Sequence, residues 1–226
     1  MIYVTGDTHG QIDFAKLRIF ADNNPQLTKN DYVIIAGDFG AVWCEPTLEK
    51  DLKPYEELPF TVLWVDGNHE NFTMVNSYPV SEWHRGKVHF IKPDIIHLMR
   101  GQVFELEGNT IFTFGGATSI DRYMRKEGIS WWRASYEELD EGIANLKRYN
   151  NKIDYIITHS CGERALMYPP LRTRSSQMCR YPENNMLSYI EDITNYKKWY
   201  FGHYHMDSQL NDKMRVLYHD IVPLGE

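Results

Sequence analysis

Ile2-Tyr3-Val4-Thr5-Gly6-Asp7-Thr8-His9 is the stretch from which the fold is read. A short apolar, β-branched run stops at a glycine and gives way to a carboxylate and an imidazole. That is the pattern of a buried strand with a polar loop at its C-terminal end. Four more stretches repeat it. Val33-Ile34-Ile35 leads to Gly37-Asp38, and Thr61-Val62-Leu63-Trp64-Val65 to Gly67-Asn68-His69-Glu70. Tyr155-Ile156-Ile157 leads to Thr158-His159, and Trp199-Tyr200-Phe201 to Gly202-His203-Tyr204-His205. Ligands of open α/β sheets sit beyond such strand ends. Asp-x-His or Gly-Asp alone means little, but an ordered set of five, each behind its own strand, is specific.

The intervening chain reads as α/β. Phe14, Leu17, Arg18 and Phe20 have helical spacing over 13–22, and a second helix is expected near 46–57 with Pro46 in its first turn. A third is expected to start at Glu70. From 87 to 115, short apolar runs broken by Pro93, Gly101 and Gly108-Asn109 predict a meander of strands. Ser135 with Glu138 resembles a capping box opening a helix to about Tyr149. Another helix is expected over 184–196, and a hairpin over 207–221 turning near Asn211-Asp212-Lys213. Residues 162–183 hold Pro169-Pro170, Pro182, Arg164, Arg172, Arg174 and Arg180 with little periodicity, and read as an irregular, Arg-rich segment of a single 1–226 domain.

Composition narrows the function classes. The chain has 226 residues, 42% hydrophobic and 24% charged, with a formal net charge of −7. One substantial core is expected. The acidic balance argues against broad binding to nucleic acid or an anionic membrane. No apolar run approaches a membrane span, and the chain opens directly on a strand, so no secretory leader is read. Cys44, Cys161 and Cys179 are odd in number and lack metal-site spacing, which fits reduced thiols in a cytoplasmic protein. Cys161 reads as a small buried residue.

The blocks supply carboxylates, an amide and imidazoles, a mixed O and N donor set. Such donors suit Mn²⁺, Fe, Zn²⁺ or Co²⁺. Two ions ~3.5–4 Å apart can polarise a phosphoryl group and hold a water as hydroxide. A histidine beside the amide is placed to protonate a leaving alkoxide.

The order of blocks resembles the calcineurin-like metallophosphoesterase superfamily, whose pattern is Asp-x-His, Gly-Asp, Gly-Asn-His-Asp/Glu, a lone His, then Gly-His-x-His. The resemblance implies a four-layer α/β/β/α sandwich. It implies two divalent transition-metal ions, Mn²⁺ first, with Fe, Zn²⁺, Co²⁺ or Ni²⁺ as alternatives. Asp7, His9, Asp38 and His205 would hold the first ion; Asp38, Asn68, His159 and His203 the second, with Asp38 bridging. His69 would be the general acid, oriented by Glu70 or Asp66. The implied reaction is hydrolysis of a phosphate monoester or diester by a metal-bound hydroxide, on a phosphorylated small molecule or nucleotide. A catalytically silent binding platform of the same fold is the alternative.

The second block, Gly37-Asp38-Phe39-Gly40-Ala41-Val42-Trp43, lacks the further Asp and Arg carried by members acting on phosphoproteins or diadenosine tetraphosphate. Gly115-Gly116-Ala117-Thr118-Ser119-Ile120-Asp121-Arg122, followed by Trp131-Trp132, looks like a subgroup of small bacterial and phage phosphoesterases. Arg125, Arg172 and Arg174 are candidates for phosphate recognition, against a solvated basic surface. Trp131-Trp132 reads as packing, with base stacking as the alternative. His84, His89, His97 and His219 read as surface or packing residues.

Overall fold

The computed structural model describes residues 1–119, 121–131, 137–175 and 181–226; the side chains of 137 and 173–175 lie outside that description. The strands are β1 (Ile2–Thr5), β2 (Tyr32–Ile35), β3 (Thr61–Trp64), β4 (Val80–Trp83), β5 (Gly86–Lys92), β6 (Ile95–Leu98) and β7 (Gln102–Leu106). They continue as β8 (Asn109–Phe114), β9 (Lys152–Thr158), β10 (Asn195–Phe201), β11 (Ser208–Gln209), β12 (Met214–Val216) and β13 (Ile221–Pro223). The α-helices are α1 (Ala15–Asn23), α2 (Leu48–Glu56), α3 (Phe72–Val75), α4 (Glu137–Arg148), α5 (Pro169–Ser175) and α6 (Pro182–Ile193).

Two sheets form. One has the order β13-β1-β2-β3-β6-β5-β4, the other β11-β12-β10-β9-β8-β7. The site blocks follow neighbouring parallel strands: β1, β2 and β3 in the first sheet, β9 and β10 in the second. All five therefore emerge at C-terminal strand ends.

Strand alternation divides the core into three layers. Val4, Ile34 and Leu63 from one sheet join Ile111, Ile157 and Tyr200 from the other in the cluster between the sheets. Tyr3, Val33, Ile35, Val62 and Trp64 point the other way, against Leu17 of α1 and Leu52 and Tyr55 of α2. Ile156, Trp199 and Phe201 pack outward against Leu146, Leu171, Met186 and Leu187 of α4, α5 and α6. The result is helices, sheet, sheet, helices. Each fully buried Leu, Ile, Val or Phe contributes about 1.5–3 kcal/mol, so this three-layered core holds the strand ends, and the loops on them, in fixed register.

Several expectations need correction. The 87–115 meander is not one sheet: β5 and β6 belong to the first and β7 and β8 to the second. The chain crosses at Gly101, where φ is +70° and an added Cβ would lie 2.7 Å from the Glu138 carbonyl. Pro46 sits in a short 3-10 turn, Glu45–Thr47, before α2 rather than inside it. α3 is a single turn starting after Asn71, whose side chain caps Met74 N–H at 3.1 Å. The 162–183 segment holds a 3-10 turn (Ala165–Met167) and α5, with Pro169 and Pro170 in the helix's first turn. The helix expected over 184–196 runs from Pro182 to Ile193, and 195–201 is strand. Ser135, Trp132, Arg180 and Cys179 lie outside the described residues. Cys44 and Cys161 are free thiols. Among the described residues, no helix is long and apolar enough to cross a membrane.

Candidate metal centre

Asp7, at the end of β1, and Asp38, at the end of β2, are the buried centre of the site. Glycines let the neighbouring loops reach them. An added Cβ at Gly67 would lie 2.0 Å from Asp38 Oδ1, and one at Gly202 would lie 2.2 Å from Asp7 Oδ1. Through these approaches the His69 backbone N–H donates to Asp38 Oδ1 at 2.7 Å and the His203 N–H to Asp7 Oδ1 at 3.0 Å. Non-glycine residues also take the left-handed region here: His9 (φ 45°), Asp38 (49°), His203 (68°) and His205 (47°). Such backbone costs about 1–3 kcal/mol per residue and clusters at functional sites.

The imidazoles then surround the carboxylates. His9 Nε2 is 3.3 Å from Asp38 Oδ2 and 3.9 Å from Asp7 Oδ2, and His205 Nε2 is 3.1 Å from Asp7 Oδ2. His159 Nε2 is 3.5 Å from Asp38 Oδ1 and 3.0 Å from Asn68 Oδ1. The His203 ring lies against His159, centroids 4.9 Å apart. All seven expected ligands are thus gathered, and Asp38 turns one oxygen to His9 and the other to His159.

The donor chemistry fits cations. His9 Nδ1 faces the Asp13 carboxylate at 2.7 Å and His159 Nδ1 faces the Ala36 carbonyl at 2.9 Å. Both partners only accept, so each Nδ1 carries a proton and each Nε2 is the nitrogen left facing the centre. Each Nε2 faces carboxylate or amide oxygens, a position from which it can donate to them as an imidazolium or bind a cation placed between them. The Asn68 amide donates its Nδ2 to Ser119 Oγ at 3.0 Å, which turns its carbonyl inward. Asp7 Oδ2 is buried without a hydrogen bond, with His205 Nε2 3.1 Å away. Converging acceptors with an orphaned carboxylate oxygen call for positive charge between them. Two overlapping groups, Asp7-His9-His205 and Asp7-Asp38-His159, have donor atoms close enough to share an ion.

Protonation follows the same field. Burial pushes Asp7 and Asp38 up, but the pull of nearby histidines, His159 first, overrides it and holds both below the carboxylate range. Burial works against a charged His9, yet the hydrogen bond and charge of Asp38 raise it to about 9. Burial depresses His203 to about 3. His69 is lowered, first by burial, with Asp38 opposing and Arg125 adding to the fall.

His69 sits beside this cluster, its ring 6.0 Å from that of His9. Neither Glu70 nor Asp66 orients it. Glu70 is buried and accepts from the Phe39 and Gly40 N–H groups at 2.7 and 3.1 Å, so it ties down the loop that carries Asp38. Asp66 pairs with Arg100 and His97. The charges felt by His69 include Asp121 and Arg125, themselves paired at 2.6 Å. Arg172 is exposed on α5, and the Arg174 side chain lies outside the described residues. Arg164 is committed to Glu191 and Asp192 on α6, away from phosphate recognition. Trp131 is buried. His89 and His97 stack on each other in the interior, while His84 and His219 are exposed. The sequence reading missed Asp13, whose only local signal is its place four residues after His9, and gave Ser119 no role beyond its place in the Gly115–Arg122 block.

The family model for calcineurin-like phosphoesterase matches residues 1–207. The chain therefore belongs to the calcineurin-like phosphoesterases, a family of metal-dependent phosphoric ester hydrolases. Among curated proteins none matches. Among solved structures, a Staphylococcus aureus protein described as a 5′-nucleotidase, in complex with alpha-ketoglutarate, is similar at 13% identity and TM-score 0.48. It aligns with 96% of this chain and 48% of its own. A phosphopantetheinyl hydrolase from Mycobacterium tuberculosis is similar at 15% identity and TM-score 0.44, over 96% of this chain and 87% of its own. NAD nucleotidase from Haemophilus influenzae is similar at 14% and 0.43, over 96% and 41%. The chain spans about half the length of the first of these.

Proposed function

We propose that the protein hydrolyses a phosphate ester at a dinuclear metal centre. Asp7, His9, Asp38 and His205 would hold one ion and Asp38, Asn68, His159 and His203 the other, with Asp38 shared between them. The observation that supports this reading is the convergence of the His9 and His159 Nε2 atoms on the Asp38 and Asn68 oxygens, with Asp7 Oδ2 buried without a hydrogen bond among them. When bound, the ions polarise the phosphoryl group and acidify a coordinated water.

The chain's own residues do the rest. Asp13 and the Ala36 carbonyl keep His9 and His159 in the tautomer that presents Nε2. His69, its N–H fixed on Asp38, stands beside the centre as the acid for the leaving oxygen. Arg125 adds positive charge on the same side for the phosphate group. The substrate is a phosphorylated small molecule or nucleotide, and Mn²⁺ is the first ion to try.

Chelator-stripped protein should be assayed on para-nitrophenyl phosphate, bis-para-nitrophenyl phosphate, cyclic nucleotides and dinucleoside polyphosphates, with Mn²⁺, Fe²⁺, Zn²⁺, Co²⁺ and Ni²⁺ restored singly. Turnover that disappears with chelation and returns with a divalent ion is expected. No turnover of any ester under any of these metals contradicts the reading.

A further inference from the structure

The C-terminal turn Leu217–Asp220 lies outside the residues that the family match covers, yet it closes against the first block. Its fit is tight: an added Cβ on Gly6 would lie 2.1 Å from the Leu217 carbonyl oxygen. Lys16 Nζ donates to the carbonyls of Gly6 and Asp7 at 3.0 and 2.7 Å, and also to that of Tyr218. Thr5 Oγ1 donates to the Asp220 carbonyl at 2.9 Å. Two residues after His205, the Asp207 carboxylate accepts the backbone N–H groups of Tyr218, His219 and Asp220 at 2.7, 3.0 and 3.0 Å. The turn is therefore tied to the Asp7 loop and to the segment just after His205.

These ties aim one side chain. The Tyr218 ring stacks on His205 with centroids 4.6 Å apart and planes 10° from parallel. Its hydroxyl donates to Asp13 Oδ1 at 3.1 Å, and Asp13 Oδ2 takes the Nδ1 proton of His9 at 2.7 Å. One residue touches both histidines proposed for the first ion, one by its face and one through a carboxylate.

We infer that Tyr218 is a positioning residue for the first metal ion, fixing the ring of His205 by stacking and the tautomer and direction of His9 through Asp13. This rests on the dinuclear reading above. Partners that orient a ligating histidine typically matter by 10–100-fold in metal affinity. Tyr218 and Asp13 act on His9 in series, so their losses should not add.

The test is metal binding, independent of turnover. Chelator-stripped parent, Tyr218→Phe, Asp13→Ala and the double variant are titrated with Mn²⁺ by calorimetry, and the Tm of each apoprotein is recorded. Tyr218→Phe keeps the ring and its stack and removes only the hydroxyl, so the apoprotein should melt with the parent. It should bind one of its two ions about 10–100-fold more weakly and leave the other unchanged. The double variant should lose no more than the weaker-binding single variant. Tyr218→Leu, which also removes the stack, should lose more than Tyr218→Phe. Parent-like binding of both ions by Tyr218→Phe and Tyr218→Leu overturns the inference while leaving the dinuclear reading intact. A fall in apoprotein Tm with both ions weakened alike overturns it in favour of a general structural role. A parent that binds only trace metal overturns the dinuclear reading and this inference together.

Discussion

Replacing Arg100 with methionine isolates the scaffold from the chemistry. The Arg100 side chain is 8% exposed and grips Asp66 Oδ2 through Nη2 at 2.6 Å and Nε at 2.7 Å, with Nη1 on Glu138 at 2.8 Å. It also lies over the Phe72 ring, 4.9 Å from its centroid. Asp66 immediately precedes Gly67-Asn68-His69, and its carbonyl accepts the Gly116 N–H at 2.7 Å. Methionine keeps the apolar stem and leaves Asp66 buried, with only His97 at 3.3 Å as a side-chain partner among the described residues. Removing one member of a buried pair costs about 3–5 kcal/mol. At ~2–4 °C per kcal/mol for a domain of this size, Tm should fall by roughly 6–20 °C. The pH dependence has a definite sign. Burial pushes Asp66 up but Arg100 pulls it down to about 2, below its usual 3.8. In the parent, Asp66 thus stabilises the fold above about pH 4, and that contribution is lost as pH falls through about 2. In Arg100→Met burial acts unopposed by Arg100, the Asp66 pKa rises, and the stability gap to the parent narrows on acidification from pH 7 to pH 5. Urea unfolding at both pH values measures this, and adding Asp66→Asn should recover part of the loss at pH 7. Equal midpoints for parent and Arg100→Met at pH 7, or a gap that widens at pH 5, would refute the reasoning.

Three further outcomes follow from the site. Asp38→Asn should lose metal and turnover together, because a neutral amide is a poor bridge; elemental analysis beside an activity assay checks this. His69→Ala should retain both ions and lose ~10²–10⁴-fold in kcat, with a smaller loss for para-nitrophenyl esters, whose leaving group needs no proton; loss of metal would make His69 a ligand instead. Joint Arg172→Ala and Arg174→Ala substitution should impair a large phosphorylated substrate and spare para-nitrophenyl phosphate, read as kcat/KM at low and high salt; a loss on every anion that salt erases would indicate charge steering alone.

The five blocks were legible because each is local: a short apolar run and its polar residues, with a glycine between them in four of the five, lie within about ten positions. Their convergence followed from strand ends alone. Sequence could not show which sheet a strand joins. β5 to β8 look alike as short apolar runs, and the crossover at Gly101 depends on contact with α4. β4 was missed because it alternates exposed and half-buried residues at a sheet edge, without an apolar run. Glu70 was misread because its work is tertiary, holding backbone N–H groups thirty positions away. Tyr218 reaches Asp13 across 205 positions and carries no motif.

Anomalous diffraction from crystals soaked in Mn²⁺ tests the central claim most directly. The account predicts two peaks ~3.5–4 Å apart, one bounded by Asp7, His9, Asp38 and His205 and the other by Asp38, Asn68, His159 and His203. A single peak, or peaks away from Asp38, would contradict it.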